Sequence, residues 1–143
     1  MTIEIYTDGA CSGNPGIGGW GGVILINKKA IEIHGGENQT TNNQMELTAA
    51  IEGLRYFNEE ETITLYTDSK YVKDGVSSWI SKWKINGWKT ANKKAVKNKE
   101  LWQKLNNEIK KHNVIFKWIK GHAGEKYNER ADQLARLFIE KKL

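Results

Sequence analysis

The chain has 143 residues, 38% of them hydrophobic, and its 22 basic against 17 acidic side chains give a net charge of +5. That length suits one domain, residues 1–143, able to bury roughly two-thirds of its unfolded surface, and no apolar run approaches the roughly 20 residues needed to cross a bilayer. The single cysteine, Cys11, excludes an internal disulfide, and Met1-Thr2-Ile3-Glu4 enters a strand pattern with no basic and apolar leader, so a cytoplasmic protein is expected.

In chain order, Ile3-Glu4-Ile5-Tyr6-Thr7-Asp8-Gly9 alternates apolar and polar residues, as a half-buried strand does, and ends on an aspartate before a small residue. The glycine-rich run that follows contains Gly16-x-Gly18-x-x-Gly21, the spacing of a dinucleotide fingerprint. What comes next is Val23-Ile24-Leu25-Ile26, a strand and not a helix, so the fingerprint is rejected. Instead Asn14-Pro15-Gly16 predicts a turn, and the later glycines let a strand backbone pass close to a neighbour. A second strand over about 18–26 turns at Asn27-Lys28-Lys29 into a third over 30–36, giving an antiparallel meander. The polar stretch 39–43 reads as a turn leading into a helix that buries Leu47, Ala50, Ile51, Leu54 and Phe57, capped by Asn42 or Asn43 with Glu46 in its first turn.

After Glu59-Glu60-Glu61 the opening strand is echoed by Ile63-Thr64-Leu65-Tyr66-Thr67-Asp68-Ser69. Ser69 caps a helix carrying Val72, Val76, Trp79 and Ile80. Between Gly75 and Lys99 there are seven lysines and no acid; removing those seven leaves 15 basic residues against 17 acids. One insert-like segment, about 79–99, therefore carries the whole positive excess. Such a patch suits a polyanion such as nucleic acid, although charge alone leaves open a solvated lysine-rich face. A helix over about 98–112, a strand over 114–119, the loop Gly121-His122-Ala123-Gly124 and a helix over about 127–141 complete the chain. The predicted fold is α/β: a five-stranded mixed sheet, an antiparallel three-strand meander plus parallel strands, flanked by helices. The right-handed crossover rule accommodates the parallel step between the echoed strands.

Four carboxylates draw attention by position: Asp8 and Asp68 at strand ends, Glu46 beside the stripe of its helix, and Asp132 next to Ala131 on the last helix. Singly, each has an ordinary reading: turn aspartates for Asp8 and Asp68, a capping-box partner of Asn43 for Glu46, a solvated helix acid for Asp132. Together, converging on one sheet edge near a lysine-rich surface, they suit a hard cation with oxygen ligands. Hydrolysis of a phosphodiester calls for an activated water and a stabilised leaving oxygen, and two divalent ions about 4 Å apart supply both. With one cysteine and three scattered histidines, a tetrahedral zinc site is not expected.

The chain resembles a type 1 ribonuclease H of the bacterial kind that carries a basic protrusion. The matching pieces are Tyr6-Thr7-Asp8-Gly9, Gly13-Asn14-Pro15-Gly16, Thr41-Asn42-Asn43-x-Met45-Glu46, Thr67-Asp68-Ser69, Trp118-Ile119-Lys120-Gly121-His122-Ala123-Gly124 and Asn128-Glu129-Arg130-Ala131-Asp132. They occur in the family's order over nearly the whole chain. The resemblance implies an endonuclease that cuts the RNA strand of an RNA–DNA hybrid with little sequence preference, leaving 3′-hydroxyl and 5′-phosphate ends. It implies two Mg²⁺ ions, replaceable by Mn²⁺, with Asp8 bridging them, Glu46 and Asp68 on one and Asp132 on the other. It gives His122 a part in proton handling or product release, and leaves His34 and His112 as surface histidines.

By the same resemblance Gly9, Cys11, Asn14, Asn42, Asn43 and Glu46 read the RNA strand, whose 2′-hydroxyl distinguishes it from DNA. Thr41 and Asn98 grip a DNA phosphate. Gln39 stands where an arginine is usual, and Lys70 replaces a usual glutamine and adds a contact on the RNA side. In the protrusion Lys89, Lys93, Lys94 and Lys97 meet phosphates and Trp88 faces the DNA sugars, while Trp83 packs and Trp79 is open between packing and contact. A monomer with no obligate protein partner and no membrane association is expected. Two other readings share these residues. A non-catalytic nucleic-acid-binding module would have lost a carboxylate, and all four are present. An integrase or transposase would need further DNA-binding domains and leaves the histidine loop unexplained.

Overall fold

In the computed structural model the described residues are 1–90, 94, 96–121 and 123–142. Strands β1 (Ile3–Gly13), β2 (Gly16–Ile26) and β3 (Lys29–Thr40) form the antiparallel meander, and β4 (Thr62–Thr67) and β5 (Asn113–Trp118) run parallel to β1, in the order β3-β2-β1-β4-β5. The echoed sequences are neighbours in register: Ile3 pairs with Ile63, Tyr6 with Tyr66 and Thr7 with Thr67. Asp8 and Asp68 therefore leave the sheet side by side. The meander strands run longer than their hydrophobic patterns, because β1 and β3 continue through polar residues as ladder partners of β2. Gln39 and Thr40 accordingly belong to β3 and not to a turn.

The alternation in β1 sorts its side chains onto two cores. Ile3 and Ile5 face helices α1 (Asn42–Arg55) and α4 (Lys99–Lys111), with Leu47, Leu54, Leu65, Trp102 and Leu105. Tyr6, with Val23 and Leu25, faces helix α5 (Lys126–Lys142) through Ala131 and Leu134. Tyr6 and Tyr66, paired in register, stack at 4.4 Å between ring centroids.

The cap of α1 is Thr41, whose hydroxyl accepts the Gln44 N–H at 3.2 Å, and not Asn42 or Asn43. Thr41 is extended, as a cap requires, whereas Asn42 and Asn43 are already helical. Glu46 consequently lies beyond the first turn and has no capping box to complete. Ser69 does cap the next helix, accepting the Val72 N–H at 3.2 Å. That helix is not uniform: α2 (Lys70–Asp74) passes through a π-helical turn, Gly75–Trp79, into α3 (Ile80–Ile85). It stops before Asn86-Gly87, where Gly87 and Trp88 both take positive φ.

His112, read from sequence as a surface residue, is buried, 6% exposed, and structural. Its Nδ1 accepts the Glu61 N–H at 3.1 Å, so Nε2 carries the proton toward the Leu54 carbonyl, also at 3.1 Å. One imidazole thus satisfies two backbone groups where α1 gives way to β4, while His34 is exposed as expected. Among the described residues no helix is long and apolar enough to cross a membrane.

Candidate active site

The acidic site is assembled by backbone contact before any side chain is considered. A Cβ on Gly9 would lie 2.5 Å from the Glu46 nitrogen and 2.6 Å from the Met45 carbonyl carbon. Only glycine lets α1 lie this close to β1, and that approach carries Glu46 up to Asp8. The glycine run of β2 has the same use on the opposite face. Gly21 is the ladder partner of Asp8, and a Cβ there would meet the Ala131 carbonyl oxygen at 2.5 Å and the Ala135 nitrogen at 2.7 Å. The run is a bed for α5, which brings Asp132 over the same strand end.

Asp8, Glu46 and Asp68 each offer an oxygen within 4.8 Å of the other two. Asp8 and Glu46 are both 5% exposed, and Asp68 is half-buried. Burial, then the Asp68 charge, pushes the Asp8 carboxyl up to about 8, against the opposing influence of a hydrogen bond with Glu46. Burial and the Asp8 and Asp68 charges likewise hold Glu46 well above the usual carboxylate range, with the Gly9 backbone working the other way. The Gly9 N–H donates to Asp8 Oδ1 at 2.9 Å. Among the described residues Glu46 Oε1 is buried with no hydrogen-bond partner. An orphaned carboxylate oxygen facing two other carboxylates is unfavourable in the absence of a cation and fits a hard divalent ion well.

Asp132 stands slightly apart. Its carboxylate is near enough to help raise Asp8, but its Oδ2 is paired with Arg136 one turn on, at 2.9 Å, and it is outside the close group of three. His122 and Lys93 lie outside the described residues.

Two residues that sequence reasoning left without a role hold Asp68. Asn128, buried in the first turn of α5, donates from Nδ2 to Asp68 Oδ2 at 3.3 Å, while its backbone N–H is capped by Glu125 at 2.7 Å. Trp118 Nε1 donates to the Asp68 carbonyl at 3.1 Å. The available signal was a polar residue at the start of a helix whose next turn is apolar, but that pattern also describes an ordinary helix start.

The expected RNA-reading residues cluster where β1 ends and α1 begins. Asn14 Oδ1 accepts the Asn42 N–H at 3.3 Å, and the Cys11 thiol donates to the Thr40 and Gly16 carbonyls at 3.4 and 3.6 Å. Burial raises the Cys11 thiol, which disfavours a thiolate nucleophile. Asn42 is exposed and Asn43 half-buried, at the start of the helix whose Met45 and Glu46 meet Gly9. Gln39 is exposed at the end of β3, and Lys70 is exposed with its Nζ 5.7 Å from the Trp118 ring centroid.

At the protrusion the tryptophans pack in series. Trp79 and Trp83 both lie against Trp102, and Trp83 continues to Trp88 at 6.1 Å between centroids. Trp83 packs as expected, and Trp79 and Trp88 pack as well while both remain half-buried. Val96, 4% exposed, anchors the returning chain, and its N–H bonds the Trp88 carbonyl at 3.3 Å. Lys89, Lys94 and Lys97 are exposed around this base.

The RNase H family model matches residues 1–140. A ribonuclease H of Wolbachia sp. subsp. Drosophila simulans (strain wRi) is 58% identical over 137 residues, 96% of this chain and 94% of the relative. Among solved structures, LC9-RNase H1, described as a type 1 RNase H with the type 2 active-site motif, superposes with a TM-score of 0.84 at 32% identity, covering 94% of this chain and 70% of that one. LC11-RNase H1, solved in complex with an RNA/DNA hybrid, gives 0.72 at 25% identity over 99% of both chains. With sequence, sheet order and acidic site agreeing along nearly its whole length, the chain belongs to the ribonuclease H family.

Proposed function

We propose that the chain is an endonuclease that hydrolyses the RNA strand of RNA–DNA hybrids, leaving 3′-hydroxyl and 5′-phosphate ends. The observation that carries this reading is the convergence of Asp8, Glu46 and Asp68 with one Glu46 oxygen buried and unpartnered among the described residues. Asp8, at the centre, would bridge two Mg²⁺ ions, with Glu46 and Asp68 on one and Asp132 on the other; Mn²⁺ would substitute. Bound there, the ions supply an activated water and stabilise the departing oxygen. The chain's own residues fix the geometry. Gly9 sets the Asp8–Glu46 approach, Asn128 and Trp118 hold Asp68 from two sides, and Arg136 restrains Asp132. His122 would take part in proton handling or product release.

Substrate would lie across the ends of β1 and α1. Gly9, Cys11, Asn14, Asn42, Asn43 and Glu46 would follow the RNA minor groove, with Lys70 beside them, and Thr41 and Asn98 would hold a DNA phosphate. Trp79, Trp88, Lys89, Lys93, Lys94 and Lys97 would extend that grip. Phosphate contacts carry no sequence information, so cleavage should be nearly indifferent to sequence. The same reading describes a single catalytic domain over residues 1–143, working as a cytoplasmic monomer with no obligate protein partner.

The test is a hybrid with a labelled RNA strand, incubated with Mg²⁺ or with EDTA. RNA cleavage is expected with Mg²⁺ alone, with the DNA strand intact and Asp8→Asn inactive. Cleavage by Asp8→Asn, or none by the unmodified protein, would sink the reading.

A further inference from the structure

Asn98 stands where the protrusion rejoins the body, and its backbone is left-handed, with φ 60° and ψ 31°. Asparagine caps helices by accepting an N–H from the turn that follows, yet its side chain makes no cap bond with α4. Both ends of the amide are committed sideways. Oδ1 accepts from Gln44 Nε2 at 3.1 Å, and Nδ2 donates to the Tyr71 hydroxyl at 3.1 Å. The series continues at each end: Thr40 Oγ1 donates to Gln44 Oε1 at 2.8 Å, and Trp102 Nε1 donates to the Tyr71 hydroxyl at 2.9 Å. From Thr40 to Tyr71 each bond is donated in the same direction. The Trp102 indole, which can only donate, also meets the Tyr71 oxygen.

These residues tie the acidic site to the base of the protrusion. Gln44 precedes Glu46 by two residues on α1, and Tyr71 follows Asp68 by three on α2. The Tyr71 ring packs against Trp79 and Trp102, the aromatic floor of the protrusion.

We infer that Gln44 and Tyr71 are positioning residues that hold the Asn98 amide from both ends, so that its second N–H is presented, with Thr41, to a backbone phosphate of the DNA strand. The identity of that ligand rests on the hybrid-nuclease reading above. With Oδ1 and one N–H engaged, the remaining Nδ2 hydrogen is the only polar hydrogen that side chain can offer a ligand. An unrestrained amide could turn its oxygen toward the phosphate and repel it. Here a flip of the Asn98 amide alone would set its amino group against the Gln44 amino group, donor to donor, and Gln44 could follow only by giving up the hydrogen that Thr40 donates to it. Gln44 and Tyr71 thus act on substrate without touching it, and the hold is present before substrate arrives.

The test uses Gln44→Met, which keeps the length and loses both side-chain bonds, and Tyr71→Phe, which keeps the ring packing and loses the acceptor. Hybrid binding is measured by fluorescence anisotropy in EDTA, and KM and kcat are measured with Mg²⁺. Each variant should weaken binding about fivefold, the effect of one neutral hydrogen bond, with KM rising in parallel and kcat changing less than about twofold. In an Asn98→Ala background, adding either change should have no further effect on Kd, because the group being positioned is gone. An unchanged Kd in the single variants, a loss confined to kcat, or the same fivefold loss in the Asn98→Ala background overturns the inference. If Gln44→Met fails to fold, Tyr71→Phe decides alone. A protein that binds hybrid without cleaving it defeats the activity while this inference still stands or falls on Kd; one that binds no hybrid defeats both.

Discussion

The acidic edge and the basic protrusion handle charge in opposite ways. At the edge, like charges are drawn together and dehydrated: Asp8 and Glu46 are each 5% exposed, and glycine contacts with α1 and α5 enforce the crowding. At the protrusion Lys89, Lys94 and Lys97 stand in solvent, and the burial is done by Trp79, Trp83 and Val96 beneath them. The edge is unfavourable until a cation binds, so its geometry is specific to one kind of ligand. At the protrusion Lys89, Lys94 and Lys97 are exposed, so they would add attraction without demanding an arrangement. On the proposed reading, chemistry and the lysine grip would be kept on separate parts of the molecule. Changes at the edge should act on kcat or stability, and changes at the lysines on KM.

The largest effect should come from the edge. Glu46→Gln keeps size and burial but withdraws the anionic ligand, and should lower kcat on a hybrid by on the order of 10³-fold or more, the several kcal/mol that a metal ion contributes to the transition state. A residual rate within tenfold of the unmodified protein would show that Glu46 is not a ligand. Gly9→Ala should come next. A methyl group 2.5 Å from the Glu46 nitrogen must push α1 away from β1, with a cost of about 1–3 kcal/mol in stability by overpacking. Thermal denaturation would report it, and kcat should fall with it because Glu46 moves too. A stable, fully active Gly9→Ala protein would mean that the close approach is not what sets the site.

Replacing Lys89, Lys94 and Lys97 with Ala should leave kcat nearly unchanged and raise KM. The slope of log Kd against log salt should become shallower by about one for each phosphate that a lysine no longer neutralises. Equal salt slopes before and after would move the grip elsewhere, and a selective loss of kcat would erase the separation between the two regions.

How much of this was visible in the chain follows from the range of each interaction. The echoed strands were legible because a period of two over five residues fixes both the face and the end of a strand, and their register in the sheet delivered Asp8 and Asp68 together. The reason for Gly9 was not legible, because its closest neighbour is the backbone of α1, a contact that no local pattern encodes. Thr41 was passed over as a cap because Thr, Asn and Asn in succession all suit one, and the choice is made by where β3 stops pairing. The burial of His112 and the hold of Asn128 on Asp68 depend on partners 51 and 60 residues away, which no local pattern encodes.

The smallest effect separates the cost of the edge from its use. In metal-free protein the Asp8 carboxyl titrates at about 8, against about 3.9 for an unfolded aspartate. Between those values the folded chain holds a proton that the unfolded chain has released. Fewer protons are bound in the unfolded state, so stability must fall as pH rises through that window. Below about pH 4 both states are protonated and the difference vanishes; above about 8 both are ionised and the penalty is complete. Asp8→Asn has no such proton. In EDTA its Tm should match the unmodified protein's near pH 4 and exceed it increasingly up to pH 8, by about 4 °C for each kcal/mol of repulsion removed in a chain of this size. Saturating Mg²⁺ should narrow or reverse the gap, because an ion that binds only the folded, ionised site stabilises the unmodified protein alone. The lysine variant, measured in the same way, should show no comparable pH-dependent gain, since its charges were never crowded. A gap between Asp8→Asn and the unmodified protein that stays constant from pH 4 to 8 would assign the difference to packing and remove the electrostatic account of the edge.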